Sequence, residues 1–341
     1  MKAAYYEGNK KFSVGESKIV PPGPGQVRME VAYAGICGTD VHIFLGHMDH
    51  RLTPPQVVGH EAVGTVVEVG EGVADFQVGD HVVLRPTDAC GKCPSCEKGH
   101  FNICPTLNFI GITSSGAFQG SWTVPAYLLH KVPDDINMVH AALIEPLAVA
   151  AHDVRYGEVT AEDFCVVLGA GPIGMLEAMV CKEKGATVVI SEVNSSRIAL
   201  AKELDFDVVN PAEEDLVKYV FDKTNGAGAD VVFEVTGTQA GAEMMTKLPR
   251  TRGRIVVVAI FAEPMMVDLR NILWREYTVI GARNYLKEDF DEAIRLVVEG
   301  NLALDKIVSD VRPVDRTQET FEEIVSGKAD FMKVLIAPSE D

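Results

Sequence analysis

A glycine-rich turn between an apolar strand and a helix is the feature that most restricts how this chain can fold. Residues 164–168 are apolar and strand-like, the turn occupies 169–174, and apolar residues at helical spacing follow at 175–180. Further strands are predicted at 187–190, 230–235, 254–259 and 278–280, and a helix at 195–204. Because strands that alternate with helices form a parallel sheet, residues 147–282 are predicted to be a doubly wound α/β domain.

The turn has the spacing Gly-x-Gly-x-x-Gly, which is typical of dinucleotide-binding domains when a strand precedes it and a helix follows. Gly169 permits the tight turn, Gly171 lets backbone N–H groups approach a pyrophosphate, and Gly174 lets the helix pack on the strand. The competing interpretation is a purely structural turn between strand and helix.

Glu192 ends the next predicted strand, eighteen residues after Gly174. A carboxylate there can accept hydrogen bonds from ribose hydroxyls and repels a 2′-phosphate, which favours NAD over NADP. Arg197 weakens this preference, because a nearby cation could meet a phosphate. The predicted cofactor-binding residues are Gly169, Gly171, Pro172, Ile173, Gly174, Glu192, Arg197, Thr236, Ala259 and Ile260.

Four of the seven cysteines are packed into fifteen residues: Cys90, Cys93, Cys96 and Cys104. Two Cys-x-x-Cys steps in one loop supply enough thiolates for a closed tetrahedral zinc site, which leaves no position for a substrate and therefore serves stability. The alternatives are free or disulfide-linked cysteines, or a zinc ribbon that binds nucleic acid.

Charge and hydropathy exclude several classes of protein. The 341 residues include 31 Lys and Arg against 49 Asp and Glu, a formal charge of −18, which opposes binding to nucleic acid or to anionic lipid. The longest wholly apolar run, 255–262, is too short to span a membrane. No secretory signal is visible at the N-terminus, so we expect a cytoplasmic protein.

The remaining regions differ from the middle one. Short β-branched runs at 26–32, 62–69 and 81–84 among many glycines and prolines predict a mostly β region, and 283–341 contains an amphipathic helix and a closing strand at 333–336. Cys37, the adjacent pair His60 and Glu61, and Glu145 are well separated in sequence here, and a thiolate, an imidazole and a carboxylate would form a metal site with an open position. Taken alone, such residues are more often part of a core.

Several segments together resemble the zinc-dependent medium-chain dehydrogenase/reductase family. They are Cys37-Gly38-Thr39-Asp40, the run GHEAVGTVVEVGEGVADFQVGDHVV at 59–83, the four-cysteine lobe and GAGPIG. Glu145 stands where the simple-alcohol enzymes of this family carry cysteine, so the chain is more similar to the polyol, butanediol and threonine dehydrogenase branch. Residues 254–282 are similar to butanediol dehydrogenases in particular.

The resemblance implies a fold and a set of ligands. A GroES-like catalytic domain at 1–146, completed by 283–341, would meet a Rossmann NAD-binding domain at 147–282 at an active-site cleft. Cys37, His60 and Glu61 would bind a catalytic zinc, with Glu145 bound directly or through a water, and the four-cysteine lobe would hold a structural zinc, giving two zinc ions per chain. A homo-oligomer, tetramer or dimer, is expected from the family only.

The resemblance also implies a reaction. A secondary alcohol of a polyol or vicinal diol would lose its proton through Thr39, the cofactor ribose and His42, with Glu61 at the catalytic centre, and transfer a hydride to NAD. Alternatives with the same mechanism are L-threonine or a sugar-alcohol phosphate as substrate. An alternative of another class is a non-catalytic cofactor-binding protein on the same fold. Neither a nucleic acid nor a membrane is expected as a partner.

Overall fold

The chain, seen in a computed structural model that describes residues 1–327 and 330–339, divides into two compact units. One unit comprises Met1–Glu145, Ala293–Gly300 and Leu304–Asp341, and the other comprises Pro146–Glu292 and Asn301–Ala303. We call them the β unit and the parallel-sheet unit. No helix in the described ranges is both long and apolar enough to cross a bilayer.

The described residues form these strands: β1 (Lys2–Gly8), β2 (Lys11–Glu16), β3 (Gln26–Gly35), β4 (Gln56–Val57), β5 (Glu61–Val69), β6 (His81–Leu84), β7 (Thr87–Asp88), β8 (Asn108–Phe109), β9 (Ser121–Pro125), β10 (Leu129–Lys131), β11 (Phe164–Leu168), β12 (Thr187–Ser191), β13 (Asp207–Val209), β14 (Ala229–Glu234), β15 (Pro249–Val257), β16 (Thr278–Gly281), β17 (Val308–Pro313) and β18 (Lys333–Ala337).

The α-helices are α1 (Gly38–Phe44), α2 (Pro94–Glu97), α3 (Met138–Ala141), α4 (Ile144–Tyr156), α5 (Pro172–Glu183), α6 (Ser195–Glu203), α7 (Leu216–Lys223), α8 (Gln239–Met244), α9 (Leu269–Arg275), α10 (Lys287–Glu299) and α11 (Thr317–Ser326). Short 3₁₀ turns lie at Asp49–Arg51, Phe101–Ile103, Ala126–Leu128, Leu304–Lys306 and Val314–Arg316.

The β unit is built on a sheet with the strand order β10-β6-β5-β3-β18-β17, in which β9 also pairs with β3. Strand β3 lies between β5 and β18, and Gly35 near its end is paired with Glu61 on one side and Leu335 on the other. The pairing brings the ends of three strands that are distant in sequence to one edge. The mostly β character predicted from the sequence is confirmed.

Aromatic packing closes the β unit. Phe321 on α11 contacts the rings of Phe12, Phe44 and Phe118, with ring centroids 4.8, 5.3 and 6.2 Å apart. All four rings are buried, and each contributes about 2–3 kcal/mol through the apolar surface removed from water. This core fixes α1, which carries Phe44, against the rest of the unit.

The parallel-sheet unit has the strand order β13-β12-β11-β14-β15-β16, and every pair is parallel. Counted along the chain this is the order 3-2-1-4-5-6, the doubly wound arrangement of dinucleotide-binding folds. The predicted parallel sheet is therefore confirmed. Strand β15 ends at Val257, two residues earlier than expected. The N–H groups of Val258 and Ala259 both donate to the Glu234 carbonyl oxygen, so the regular ladder of hydrogen bonds does not continue.

Candidate metal centres and nucleotide-binding edge

The four predicted zinc-binding cysteines form one cluster. The sulfur atoms of Cys90, Cys93, Cys96 and Cys104 all lie within 4.8 Å of one another. Cys93 Sγ is 3.5 Å from Cys96 Sγ and 3.9 Å from Cys104 Sγ. These separations match the edge of about 3.8 Å expected for a tetrahedron of thiolates around zinc, and none is a disulfide.

Local backbone geometry prepares the four-cysteine cluster. Cys93 is the N-cap of α2, where its sulfur accepts a hydrogen bond from the Cys96 N–H at 3.5 Å. The backbone N–H of Lys92 and the Thr106 hydroxyl lower the pKa of Cys90 to about 6. The donor set and its spacing therefore fit a closed zinc site.

A second cluster forms at the edge where the β unit brings distant strands together. One ligand atom each from Cys37, His60 and Glu61 lies within 4.8 Å of the others. Gly59 precedes His60 at a φ of +96°, and a side chain there would overlap the Phe118 ring. His60 is therefore directed into the cluster by a backbone conformation that favours glycine.

Asp40 links two of these ligands. Its Oδ2 accepts a hydrogen bond from the Cys37 backbone N–H at 2.9 Å in a capping box at the start of α1. Its Oδ1 is 3.7 Å from His60 Nδ1. Asp40 is fully buried, so its carboxyl group both caps the start of α1 and lies beside the ligand His60.

Lys333 is a member of the site that sequence reasoning missed. Its Nζ donates to Glu61 Oε1 at 2.6 Å and to the Ile36 carbonyl oxygen at 3.0 Å, and the residue is 4% exposed. A Cβ atom at Gly35 would lie 1.9 Å from Glu61 Oε2, so the carboxylate occupies space that a glycine leaves open. A lysine at the head of an otherwise apolar strand was the available signal.

The electrostatics of the second cluster favour a cation. Burial opposes a charged His60, but Asp40, Cys37 and Glu145 outweigh it and raise the pKa of His60 to about 10. Burial likewise opposes the charge of Lys333, yet Glu61, Cys37 and Glu145 raise its pKa. His60 Nδ1 is buried and has no hydrogen-bond partner among the described residues. A soft sulfur, an imidazole and a carboxylate in this negative pocket fit zinc.

The other predicted members lie around this cluster. Glu145 is buried near the start of α4 and lies outside the group of ligand atoms within 4.8 Å. Thr39 and His42 are three residues apart on α1, hence on one face of the helix. His42 Nδ1 is 3.2 Å from His47 Nδ1, a contact that the sequence did not suggest.

The glycine-rich turn lies where the parallel strands end. Gly169 has a φ of +107°, and a Cβ at Gly174 would lie 2.0 Å from the Gly169 carbonyl oxygen. Gly171 is the N-cap of α5, which begins at Pro172 followed by Ile173, and no side chain caps the helix. The free N–H groups of its first turn fit a pyrophosphate.

Glu192 is held against this turn. Its Oε2 accepts from the Ala170 N–H at 2.8 Å, and its Oε1 accepts from the N–H groups of Val193 and Asn194 at 2.6 and 2.9 Å. Arg197 Nη1 is 3.9 Å from Glu192 Oε2. The carboxylate is therefore fixed at the end of β12, where it repels a further negative group.

The loops after β14 and β15 complete this edge. The backbone N–H of Thr236 donates to Glu234 Oε1 at 3.0 Å, its hydroxyl donates to the same oxygen, and the N–H of Gly237 donates to Glu234 Oε2 at 3.3 Å. Ala259 follows β15, and Ile260 is 80% exposed. Glu234 was missed by sequence reasoning, although its place at the end of an apolar strand made it a candidate.

These features define a class, namely a zinc-binding oxidoreductase with a nucleotide-binding sheet. Family models support each part. Residues 23–134 match the alcohol dehydrogenase GroES-like domain, and residues 172–299 match the zinc-binding dehydrogenase domain. The chain belongs to the zinc-dependent medium-chain dehydrogenase/reductase family.

Three similar proteins refine this assignment. The chain is 47% identical over 336 residues, 98% of each chain, to 2-dehydro-3-deoxy-L-galactonate 5-dehydrogenase of Pseudoalteromonas atlantica. Its fold matches that of 2R,3R-butanediol dehydrogenase of Bacillus subtilis with a TM-score of 0.91 at 32% sequence identity. It also matches a zinc-binding dehydrogenase of Sinorhizobium meliloti 1021 bound to NADP, with a TM-score of 0.92 at 31% sequence identity. Each match covers 99% of both chains. These matches confirm two predictions: the chain is an enzyme, and it belongs to the polyol- and diol-type branch of dehydrogenases.

Proposed function

We propose that this enzyme oxidises a secondary hydroxyl group of a polyol, vicinal diol or sugar acid and transfers the hydride to NAD. The observation that carries the proposal is the cluster of half-buried Cys37 with buried His60 and Glu61. Cys37 is the N-cap of α1, the helix that also presents Thr39 and His42. Zinc held by this cluster would act as a Lewis acid on the substrate oxygen.

The chain's own residues supply the proton path in this proposal. The Thr39 hydroxyl would accept the proton of the substrate hydroxyl while it releases its own towards His42, which lies at the last turn of the same helix and is exposed, so that His42 can pass a proton to solvent. Asp40 holds the Cys37 backbone and faces His60, which keeps both ligands in place. Glu145 contributes negative charge to the site, either as a zinc ligand or as a neighbour that does not bind the zinc directly.

NAD is proposed as the oxidant because of Glu192. Its carboxylate is fixed by three backbone N–H groups at the end of β12, so a 2′-phosphate would meet a negative group that cannot move away without losing them. Arg197 is the residue that would accommodate such a phosphate if NADP were preferred. Comparing kcat/KM for the two cofactors in the parent and in Glu192→Ala tests this choice.

A sugar acid is the first substrate to try. The relative from Pseudoalteromonas atlantica is named for 2-dehydro-3-deoxy-L-galactonate, which carries several hydroxyl groups and a carboxylate. Butanediol stereoisomers and simple polyols come next, since the fold matches a butanediol dehydrogenase.

The test is NAD reduction across 2-dehydro-3-deoxy-L-galactonate, 2,3-butanediol isomers, sorbitol, xylitol, L-threonine and a sugar-alcohol phosphate, with and without chelator. We expect chelator-sensitive turnover on one class, its loss in Cys37→Ser, and its retention in Cys165→Ala, a matched change of a buried cysteine on β11. Turnover that survives both chelator and Cys37→Ser would contradict the proposal.

A homo-oligomer is proposed as well. The loop before α9 and the helix itself expose Met266, Leu269, Leu273 and Trp274, each at least 70%, and β16 beside them is an edge strand of its sheet. Exposed apolar patches of this kind mark interfaces. Light scattering of the parent and of Leu273→Glu tests it; a monomeric parent would contradict it.

Two further expectations stay proposals. We propose residues 1–146 with 283–341 as the catalytic domain and residues 147–282 as the cofactor-binding domain. Residues 328, 329, 340 and 341 of the proposed catalytic domain lie outside the described residues. A cytoplasmic location is proposed because the four-cysteine cluster needs reduced thiols.

A further inference from the structure

Two acidic residues face each other inside the parallel-sheet unit. Asp153 lies on α4 and Glu177 on α5, and the exposed fraction of each is 0%. Neither belongs to the nucleotide-binding edge or to a metal cluster. Buried carboxylates are rare unless a cation or several donors compensate them, so this pair requires an explanation.

The pair lacks donors. No N–H or O–H group among the described residues donates to any of the four carboxyl oxygens, and the two carboxyl groups are hydrogen-bonding neighbours of each other. Two carboxylates are acceptors only, so a hydrogen bond between them exists only when one carries a proton.

The surrounding charged groups cannot compensate a doubly ionised pair. Asp289, at the first turn of α10, faces Asp153, and its carboxylate is already bound by His152 and Arg155. Glu234 on β14 faces Glu177, and its oxygens are taken by Thr236 and Gly237.

The thiols nearby add no positive charge. Cys181 lies one turn further along α5, feels the charge of Glu177, and is hydrogen-bonded to Cys165 on β11. His152 precedes Asp153 on α4, and its Nδ1 is engaged with Asp289 at 2.7 Å. Every ionisable group that acts on the pair directly is therefore an acid or a thiol.

We propose that Asp153 and Glu177 form a proton-binding site in which one carboxyl donates its O–H to the other carboxylate, so that the parallel-sheet unit folds with a proton that the unfolded chain does not keep. The energetics agree with this assignment. Burial, with a smaller contribution from Asp289, raises the pKa of Asp153 to about 8, and burial and the charge of Asp153 also raise the pKa of Glu177.

The sign of the pH effect follows from linkage. The unfolded carboxyls release their protons near pH 4, whereas burial raises the pKa of Asp153 to about 8 and raises that of Glu177 as well, so the native pair still holds its shared proton at pH 8. Between these values the native state binds more protons, so stability decreases as the pH rises, and one retained proton changes the unfolding equilibrium constant about tenfold per pH unit.

The test compares the full-length enzyme with Asp153→Asn, in which an amide N–H replaces the shared proton. Amide hydrogen exchange of β11 and β14, corrected for the intrinsic pH dependence of exchange, reports the stability of this unit alone at pH 6, 7 and 8. We expect the equilibrium constant for opening to increase with pH in the parent, by about tenfold per pH unit beyond any increase in Asp153→Asn. Glu177→Gln serves if the first variant does not fold.

Asp163→Asn is the matched control, because Asp163 is buried but is ion-paired with Arg254 at 2.6 Å. It is expected to lower stability without flattening the pH slope. Infrared spectra provide a direct readout, since the carbonyl stretch of a protonated carboxyl group should be present at pH 6 in the parent and diminished in Asp153→Asn.

Two results would overturn the proposal. One is the absence of a protonated-carboxyl band together with equal pH slopes in the parent and Asp153→Asn. The other is stabilisation of the parent, but not of Asp153→Asn, by added Na⁺ or K⁺ at constant ionic strength, which would assign the pair to a bound cation.

Discussion

The two ligand clusters of the β unit are built in opposite ways. The four cysteines come from fifteen consecutive residues and are held by the turns between them. Cys37 lies between β3 and α1, His60 and Glu61 lie at the start of β5, and their neighbour Lys333 comes from the last described strand. The first cluster is therefore a local chelate, whereas the second exists only when β3, β5 and β18 are paired.

The charges differ too. The four-cysteine cluster contains only thiols, and a zinc ion leaves it with no free position. The second cluster mixes three ligand types and is flanked by a buried acid, Asp40, and a buried base, Lys333. A closed site is suited to stability, and an open, charge-balanced one is suited to chemistry.

Cys37→Ser should give the largest effect. It removes a ligand of the open site, so kcat/KM should fall by about a thousandfold or more, since metal polarisation contributes several kcal/mol. Metal analysis should give one zinc per chain in place of two, with the thermal midpoint nearly retained. A variant that keeps both zinc ions and full activity would remove Cys37 from the site.

Cys96→Ser should act on stability first. Loss of a structural zinc should lower the melting temperature by about 10 °C, because the metal contributes folding free energy. Activity at low temperature should persist in the fraction that remains folded. If calorimetry shows an unchanged midpoint while catalysis disappears, the assignment of roles to the two clusters is reversed.

Lys333→Met should have an intermediate effect. Breaking the buried pair with Glu61 leaves an uncompensated carboxylate and should cost about 3–5 kcal/mol. The double variant Lys333→Met with Glu61→Gln should recover part of this loss in denaturant unfolding. Equal losses in the single and double variants would mean that the pair is not coupled.

His47→Asn should have the smallest effect. Its ring contacts His42 at 3.2 Å but both side chains are exposed, so water can replace it, and we expect kcat to fall only about two- to fivefold. Added imidazole should restore the rate. A rate that is unchanged at every buffer concentration would exclude a role for His47 in proton transfer.

The features that were predicted correctly from the sequence are those encoded by residues close together along the chain. The spacing of Gly169, Gly171 and Gly174 and the close spacing of the four cysteines are both encoded within short stretches. The parallel sheet followed from alternating apolar segments, and its strand order agrees with the doubly wound topology.

Long-range pairings account for what the sequence did not predict. Lys333 meets Glu61 across 272 residues, and Asp153 on α4 interacts with Glu177 on a different helix, α5. Asp40 lies three residues after Cys37, and its second contact, with His60, depends on a residue that is distant in sequence. Lys333, Asp153 and Glu177 are charged residues within largely apolar stretches, and such residues indicate buried polar contacts that periodicity alone does not predict.

Gly35 has a consequence for anyone who engineers this enzyme. A methyl group there would collide with the Glu61 carboxylate and would have to displace a ligand, although residue 35 itself has no reactive atom. A mutational scan would therefore rank this position among the active-site residues. Mutant libraries of this enzyme should leave residue 35 as glycine, since the Glu61 carboxylate occupies the space that a side chain there would need.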